Sequence, residues 1–132
     1  MENNIQSYNE NYIGTHIVDA ALTVHKKMGP GLLEKVYEVC MEYELKKRGF
    51  SVERQMNVPI VYDGVEFNEL LKMDLLVNGK VIVELKSIEN HNKLWEAQIL
   101  SHLKLTKLHL GYLINFNVPL IKMGIKRFIN SQ

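Results

Sequence analysis

Two acidic residues and a lysine stand close together in the stretch KMDLLVNGKVIVELKS, residues 72–87. Asp74 lies on one predicted strand, whereas Glu84 and Lys86 lie on the next, about 6.6 Å apart along the chain. Two carboxylates on neighbouring strands form a hard oxygen site of the kind that Mg²⁺ or Mn²⁺ prefers. Such an ion can polarise a phosphodiester, and a nearby ammonium group can orient water or stabilise transition-state charge. These residue types therefore favour metal-dependent phosphodiester hydrolysis.

The same three residues also have a plainer interpretation. Ends of strands often carry solvated acids and lysines, and a surface ion pair between Glu84 and Lys86 would contribute little to stability. The spacing of Asp74, Glu84 and Lys86, taken alone, favours this plainer interpretation. The apolar residues around Glu84, residues 81–83 and Leu85, favour the chemical one, because an unpaired charge in an interior strand is costly without a metal or partner. Both interpretations remain open at this point.

Alternation of apolar residues predicts which side chains lie on each face of these two strands. Asp74, Glu84 and Lys86 share one face if the hairpin has a three-residue loop. We predict that loop at Val77-Asn78-Gly79, with a left-handed Gly79, so that Asp74 pairs with Ile82. A plain two-residue turn would put Glu84 on the wrong face. The opposite, apolar face is then made of Met73, Leu75, Val77, Val81, Val83 and Leu85.

Hydrophobic periodicity sets the order of the elements. Apolar residues at spacings of four, four, three and four predict a first helix over residues 11–28, which Gly29-Pro30-Gly31 ends. The order α, α, β, β, β, α, β indicates an α/β domain with a mixed sheet flanked by helices, whose last two strands are parallel. The further elements are predicted as a helix over 32–48, strands over 50–61, 65–77, 80–87 and 109–116, a helix over 91–106 capped by Asn90, and a strand or amphipathic segment over 123–129.

Length and composition restrict the class of protein. The chain has 132 residues, the size of one domain, and we predict a flexible tail over residues 1–10 and a single domain over 11–132. A hydrophobic share of 46% and a charged share of 23% exclude a disordered or fibrous chain. The net charge of +1 argues against coating nucleic acid by bulk charge, although it leaves room for a local basic cleft.

Cysteine content and hydropathy suggest the compartment. A single cysteine, Cys40, excludes an internal disulfide and a cysteine zinc cluster, which suits a reducing cytoplasm. The polar start lacks a basic segment followed by an apolar one, so we expect no signal peptide. No run of roughly 18 apolar residues indicates a membrane span. We therefore expect a cytoplasmic protein with no membrane partner.

The segment GLLEKVY, residues 31–37, resembles the signature of the GxxExxY proteins, a small prokaryotic family of the PD-(D/E)XK nuclease superfamily. The similarity continues through YELKKRGF, KMDLLVNGKVIVELKS, LWEAQILSHLKLT and LGYLINF, so it covers nearly the whole chain after Tyr12. The resemblance implies a restriction-endonuclease-like fold with an α-β-β-β-α-β core, here preceded by an extra N-terminal helix. It also implies a nuclease that acts on nucleic acid, DNA rather than RNA.

The resemblance further implies roles for single residues. Asp74 and Glu84 correspond to the two metal-binding acids, the backbone carbonyl of Leu85 completes the metal shell, and Lys86 corresponds to the catalytic lysine. Glu34, on the preceding helix, resembles an additional acid that supports a metal or its water in several branches.

Three polar residues are expected to contact the substrate. Gln98 resembles the glutamine of the Q-x-x-x-Y motif in the exonuclease-like branch, where it assists the reaction. His102 stands where that motif has tyrosine, and Lys72 stands where the family often has arginine. Without the resemblance, Gln98 and His102 would be polar boundary residues on one helix edge. Tyr37 is expected to pack with its hydroxyl hydrogen-bonded, and Trp95 either to pack in the core or to stack on a base.

Two hypotheses from different classes follow. The first is a Mg²⁺- or Mn²⁺-dependent nuclease in which water is the nucleophile. The alternative is a non-catalytic module that binds nucleic acid or protein and keeps the nuclease fold, favoured by the near-neutral charge and the small size. A nucleotide-cofactor or redox enzyme lacks support, since the sequence contains no G-x-G-x-x-G after a strand, no P-loop and no C-x-x-C. Because 132 residues leave little room to surround a duplex, we expect a homodimer or a partner.

Overall fold

A computed structural model of the protein describes residues 9–131, except for the side chains of residues 69 and 70. The observed order is the predicted one, and the last segment is a strand. Most of the predicted tail, residues 1–8, lies outside the described residues. The elements are α1 (Glu10–Met28), α2 (Glu34–Lys47), β1 (Val52–Tyr62), β2 (Val65–Val77), β3 (Val81–Lys86), α3 (Lys93–Thr106), β4 (Leu110–Asn115), a 3-10 turn (Ile121–Gly124) and β5 (Ile125–Ile129).

Asparagine caps decide where α1 and α3 begin. The side chain of Asn9 accepts a hydrogen bond of 2.8 Å from an amide of the first turn, so α1 begins at Glu10, inside the predicted tail. Asn92 caps α3 in the same way at 2.9 Å, and the predicted cap at Asn90 is therefore wrong by two residues. In both helices a short side chain satisfies an amide that has no partner within the helix.

The five strands form one mixed sheet in the order β1-β2-β3-β4-β5. β3 and β4 are parallel, as predicted, with α3 as the connection between them, and the other neighbours are antiparallel. Every residue of β4 is buried, as expected for a strand covered on both faces.

Helices cover both faces of this sheet. α1 and α2 pack on one face with the larger apolar cluster, and α3 packs on the other with a smaller one. Leu75, Val77, Val81, Val83 and Leu85 belong to the larger cluster. The smaller cluster consists of Val58, Met73, Leu76, Ile82 and Leu103. The middle of β3 therefore lies between two apolar layers. None of the helices within residues 9–131 has the length and apolar character needed to cross a membrane.

The β2–β3 hairpin has the predicted loop length at a different position. Val77 pairs with Val81, so the loop is Asn78-Gly79-Lys80 rather than Val77-Asn78-Gly79. Gly79 is left-handed, as predicted, with φ 65°, and Asn78 is left-handed as well. The Asn78 side chain accepts a bond of 2.8 Å from the amide of Ser51, which anchors the loop beside the start of β1. The register thus differs by two residues from the predicted one, an even shift that does not by itself exchange the two faces.

The β1–β2 hairpin extends beyond the end of β3. Only the last three residues of β2 pair with β3, whereas β1 and β2 pair from Val52 opposite Val77 to Tyr62 opposite Val65, with interruptions at Gln55 and between Pro59 and Val61. The register of β1 shifts between Pro59 and Val61, and β1 is an edge strand, where a proline that lacks an amide hydrogen is tolerated. The two strands therefore form an arm next to the point where β2 and β3 separate.

Candidate active site

The end of the β2–β3 pairing brings the predicted acids together, and we call this place the fork (Asp74, Glu84 and Leu85). The pairing stops at Leu75 and Val83, and Asp74 is the next residue of β2. Oδ2 of Asp74 accepts a hydrogen bond of 2.7 Å from the amide of Leu85. The carboxylate thus replaces the backbone acceptor that this amide loses where the strands separate.

Strict alternation, from which the faces of β2 were predicted, fails at the fork. Met73 packs in the cluster on the α3 side and Leu75 in the cluster on the α2 side, so placing both on one face was wrong. Opposite them on β1, Gln55 has a left-handed backbone with φ 53°. Such a residue interrupts the two-residue period of a strand. At the interruption Asp74 reaches toward α2, so the prediction that Asp74 and Glu84 share one face is wrong, although the charge of Glu84 still acts on Asp74.

Glu84 occupies the α3 side of the fork. Its side chain is 9% exposed, and Oε2 lies 3.0 Å from Nδ1 of His102 on α3. His102 itself is only 2% exposed. The structure therefore places His102 in the interior with Glu84, rather than on the surface, where a residue that contacts substrate is expected.

The fork carries uncompensated negative charge. Burial and, after it, the charge of Glu84 raise the pKa of Asp74 from its ordinary 3.8 to about 6, although the bond from the Leu85 amide acts in the opposite direction. The carboxylates of Glu38 and Glu34 add smaller contributions in the same direction as Glu84. A raised carboxyl pKa of this kind means that a proton or another positive charge would bind favourably at the fork.

α2 contributes two acids one turn apart. Glu34 is exposed at the first helical residue and acts on Asp74 electrostatically. Glu38 is 7% exposed and forms an ion pair of 2.8 Å with Arg54. Glu38 and Arg54 were not predicted as site residues, although the four-residue spacing of Glu38 from Glu34 indicates that both acids share one helix face.

The signature segment GLLEKVY positions the start of α2. The Tyr37 hydroxyl donates a bond of 2.6 Å to the carbonyl of Gly29 and accepts one of 3.1 Å from the amide of Leu32. Ser87, directly after β3, donates to the carbonyl of Leu32. The hydrogen-bonded role predicted for Tyr37 is therefore confirmed, and the loop that precedes Glu34 is fixed to the end of the strand that carries Glu84.

Lys86 lies against an aromatic ring at the end of β3. Its Nζ is 5.3 Å from the centroid of the Trp95 ring, a cation–π contact, and the side chain is half-buried. His91 meets the same ring edge-on at 5.4 Å between centroids. Trp95 belongs to neither apolar cluster, so the expectation of core packing is not supported.

The two remaining predicted residues are exposed. Gln98 lies on α3 one turn after Trp95. Lys72 lies on β2 two residues before Asp74, and its Nζ donates a bond of 3.0 Å to Asn57. Both side chains are therefore on the surface, whereas His102 is not.

The donor set at the fork fits a hard divalent cation. Among residues 9–131, no group of three His, Cys, Asp or Glu side chains is arranged to hold a metal ion. Mg²⁺ does not need such a group, since it usually binds through one or two carboxylates, waters and substrate phosphates. Glu84 has one oxygen engaged by His102, whereas Asp74 has one oxygen held by the Leu85 amide and the other 3.4 Å from the Gln55 amide. The raised pKa of Asp74 indicates that positive charge is favoured there.

Comparison with known families agrees with this geometry. A model of the PD-(D/E)XK nuclease superfamily matches residues 11–128. The chain therefore belongs to the PD-(D/E)XK nuclease superfamily, as predicted, and the nucleases of this superfamily generally use divalent metal ions. The narrower resemblance to the GxxExxY proteins stays a prediction. Neither the curated proteins nor the solved structures contain a match.

Proposed function

We propose that the protein is a divalent-metal-dependent nuclease that hydrolyses phosphodiester bonds at the fork, in DNA rather than RNA. The proposal rests on the proximity of Asp74 and Glu84, two largely buried carboxylates. The pKa of Asp74 is raised to about 6. Membership of the superfamily supports nucleic acid as the substrate class.

In this proposal Asp74, Glu84 and the carbonyl of Leu85 hold Mg²⁺ or Mn²⁺. The bound ion supplies a Lewis acid that polarises the phosphodiester and lowers the pKa of a water molecule. Glu34, exposed at the start of α2, orients water on the same side as Asp74.

Lys86 is the proposed catalytic lysine. Its ammonium group donates hydrogen bonds either to the attacking water or to a phosphate oxygen as negative charge develops there. The face of Trp95 limits the positions that the ammonium group can adopt. Gln98 and Lys72, both exposed, contact the phosphate backbone of the substrate.

His102 takes a different role from the one the sequence suggested. Because an ionised carboxylate only accepts hydrogen bonds, we assign the proton to Nδ1, which donates to Oε2 of Glu84. His102 thereby positions Glu84 and does not touch the substrate. Partners of this kind orient metal ligands in many metalloproteins.

The proposal is tested with Asp74→Ala and, as the matched control, Asp19→Ala, which removes an exposed acid that pairs with Arg48. We expect the wild type to bind Mn²⁺ in a calorimetric titration and to cleave DNA with Mn²⁺, in assays that use single-stranded DNA, double-stranded DNA and RNA. Asp74→Ala should lose metal binding and at least about 100-fold in rate, whereas Asp19→Ala keeps both.

A folded wild type that binds no Mn²⁺ would favour the non-catalytic binding module instead. Cleavage by Asp74→Ala at the wild-type rate would also contradict the proposed site.

A further inference from the structure

Gln55 combines an uncommon backbone with an unusual set of neighbours. It is a non-glycine residue in the left-handed region, with φ 53°, in the interior of β1. Residues persist in this conformation where the surrounding structure determines it, often at functional sites. In a regular strand Arg54 and Gln55 would point to opposite faces. Here both side chains reach Glu38 on α2.

The Gln55 amide connects two carboxylates. Nε2 donates a bond of 2.9 Å to Oε1 of Glu38 and lies 3.4 Å from Oδ1 of Asp74. An amide nitrogen carries two hydrogens, so it can serve both acceptors. Oε2 of Glu38 is occupied by Arg54 at 2.8 Å, which fixes Glu38 and therefore the amide. Asp74 thus has one oxygen held by the Leu85 amide and the other approached by Gln55.

We infer that Gln55 is a positioning residue, whose amide orients Oδ1 of Asp74 for the metal ion while the Arg54–Glu38 ion pair holds the amide in place. This inference rests on the proposed function. An amide suits the task because it donates a hydrogen bond without bringing a charge, so that Asp74 keeps its negative charge for a cation. A lysine at this position would neutralise Asp74 within the chain. Arg54 is kept away from that role by its bonds to Glu38 and Glu42.

The test compares Gln55→Gly and Gln55→Lys with the wild type. Glycine adopts the left-handed backbone without strain and removes the amide, whereas lysine introduces a competing cation. We expect the dissociation constant for Mn²⁺, measured by calorimetry, to rise about tenfold in Gln55→Gly and further in Gln55→Lys. The kcat for DNA cleavage should fall while KM for DNA stays unchanged, because the amide does not contact the substrate.

Lys107→Gly is the matched control, since Lys107 is another left-handed non-glycine residue, with φ 59°, at the end of α3. It should keep the wild-type affinity for Mn²⁺ and the wild-type kcat. If Gln55→Gly fails to fold, Gln55→Asn serves instead, since asparagine tolerates this backbone and its amide is one methylene too short. A weaker Mn²⁺ affinity in a folded Gln55→Asn protein supports the inference.

The outcomes separate this inference from the proposed function. The role of Gln55 is overturned if the wild type binds Mn²⁺ and cleaves DNA while a folded Gln55→Gly or Gln55→Asn protein keeps the wild-type Mn²⁺ affinity and kcat. That result leaves the nuclease proposal intact. A folded wild type that binds no Mn²⁺ overturns both.

Discussion

Two largely buried acids of this protein, Glu44 and Asp74, differ in the positive charge that lies next to them. In the Glu44 cluster (Glu44, Lys47, Arg48 and Asp19), Glu44 lies 3.1 Å from Nε of Arg48 and 3.5 Å from Nζ of Lys47, and Arg48 also pairs with Asp19. At the fork, Asp74 has backbone and amide donors but acidic neighbours, and its pKa is raised to about 6.

The source of the counter-charge distinguishes a structural acid from a functional one. The negative charges of the Glu44 cluster are balanced by two cations at the end of α2, Lys47 and Arg48, so burial is compensated on folding and nothing further needs to bind. Burial at the fork is left uncompensated, which is characteristic of a site whose counter-charge arrives with a ligand.

The largest effect is expected from Lys86→Ala. Lys86 and Lys47 both lie over an aromatic ring, at 5.3 Å from Trp95 and 5.7 Å from Tyr43. Lys86→Ala should slow DNA cleavage by about 10² to 10³, equivalent to roughly 3–4 kcal/mol of barrier, and Lys47→Ala should leave the rate unchanged. Single-turnover assays measure this difference. Equal rates in the two variants would mean that Lys86 is only a surface lysine.

Arg48→Met should lower the free energy of unfolding by about 3 kcal/mol, because Glu44 then loses its main partner in a largely buried place. Urea denaturation measures this loss. The cleavage rate per folded molecule should stay at the wild-type value, since the Glu44 cluster takes no part in the reaction. A loss below about 1 kcal/mol would show that Lys47 alone compensates Glu44.

Asp74→Asn should stabilise the metal-free protein. The folded chain has a pKa of about 6 for Asp74 against the ordinary 3.8, so it binds this proton more tightly than the unfolded chain does. Stability is therefore lost as pH rises from about 4 to 6 and stays lower above that range. Asparagine cannot ionise, yet it still accepts the bond from Leu85.

We expect metal-free Asp74→Asn to exceed the wild type by about 2 to 3 kcal/mol at pH 8 and to match it below pH 4. Urea titrations in the presence of a chelator at several pH values measure the difference. A pH-independent difference between the two proteins would argue against an uncompensated charge at the fork.

His102→Leu should weaken Mn²⁺ binding about tenfold, because it removes the donor that orients Glu84 while it keeps much of the buried volume. His102→Asn retains a donor near the position of Nδ1 and should restore most of the affinity. Calorimetric titration distinguishes the two variants. Equal affinities in both would indicate a packing role for His102.

The smallest effect is expected from Lys126→Ala, which removes an exposed ion pair of 2.9 Å with Glu96. Exposed pairs of this kind contribute little, so the free energy of unfolding should stay at the wild-type value within the error of the measurement. Urea denaturation again supplies the measurement. A change as large as that expected for Arg48→Met would show that burial is not what separates the two kinds of ion pair.

Much of the fold follows from local patterns in the sequence. The bounds of β2 are those that the alternation predicts, and α1 differs from its prediction by one residue. Such features depend on residues close together in the chain. The start of α3 was misplaced because Asn90 and Asn92 are both chemically able to cap a helix, and the choice between them depends on how the preceding loop packs.

The arrangement at the fork depends on contacts between distant segments, which periodicity does not report. Gln55 shows no sequence signal for a left-handed backbone, since glutamine is not favoured there. The face on which Met73 lies follows from the interruption at Gln55 in the neighbouring strand β1. The burial of His102 against Glu84 likewise needs α3 to pack on β3. The residue types at the site were therefore predictable, but their orientations were not.

The hydroxyl of Tyr37 has a consequence for the motions of this protein. The ring is fully buried and stacks on Phe116 with 4.3 Å between centroids, while the hydroxyl ties together the carbonyl of Gly29 and the amide of Leu32. The loop ahead of α2 therefore cannot swing open as a hinge unless the interior opens with it. Deuterium should enter at the Leu32 amide as slowly as in the central strands. We expect any adjustment to a strand of nucleic acid to take place in the β1–β2 arm instead.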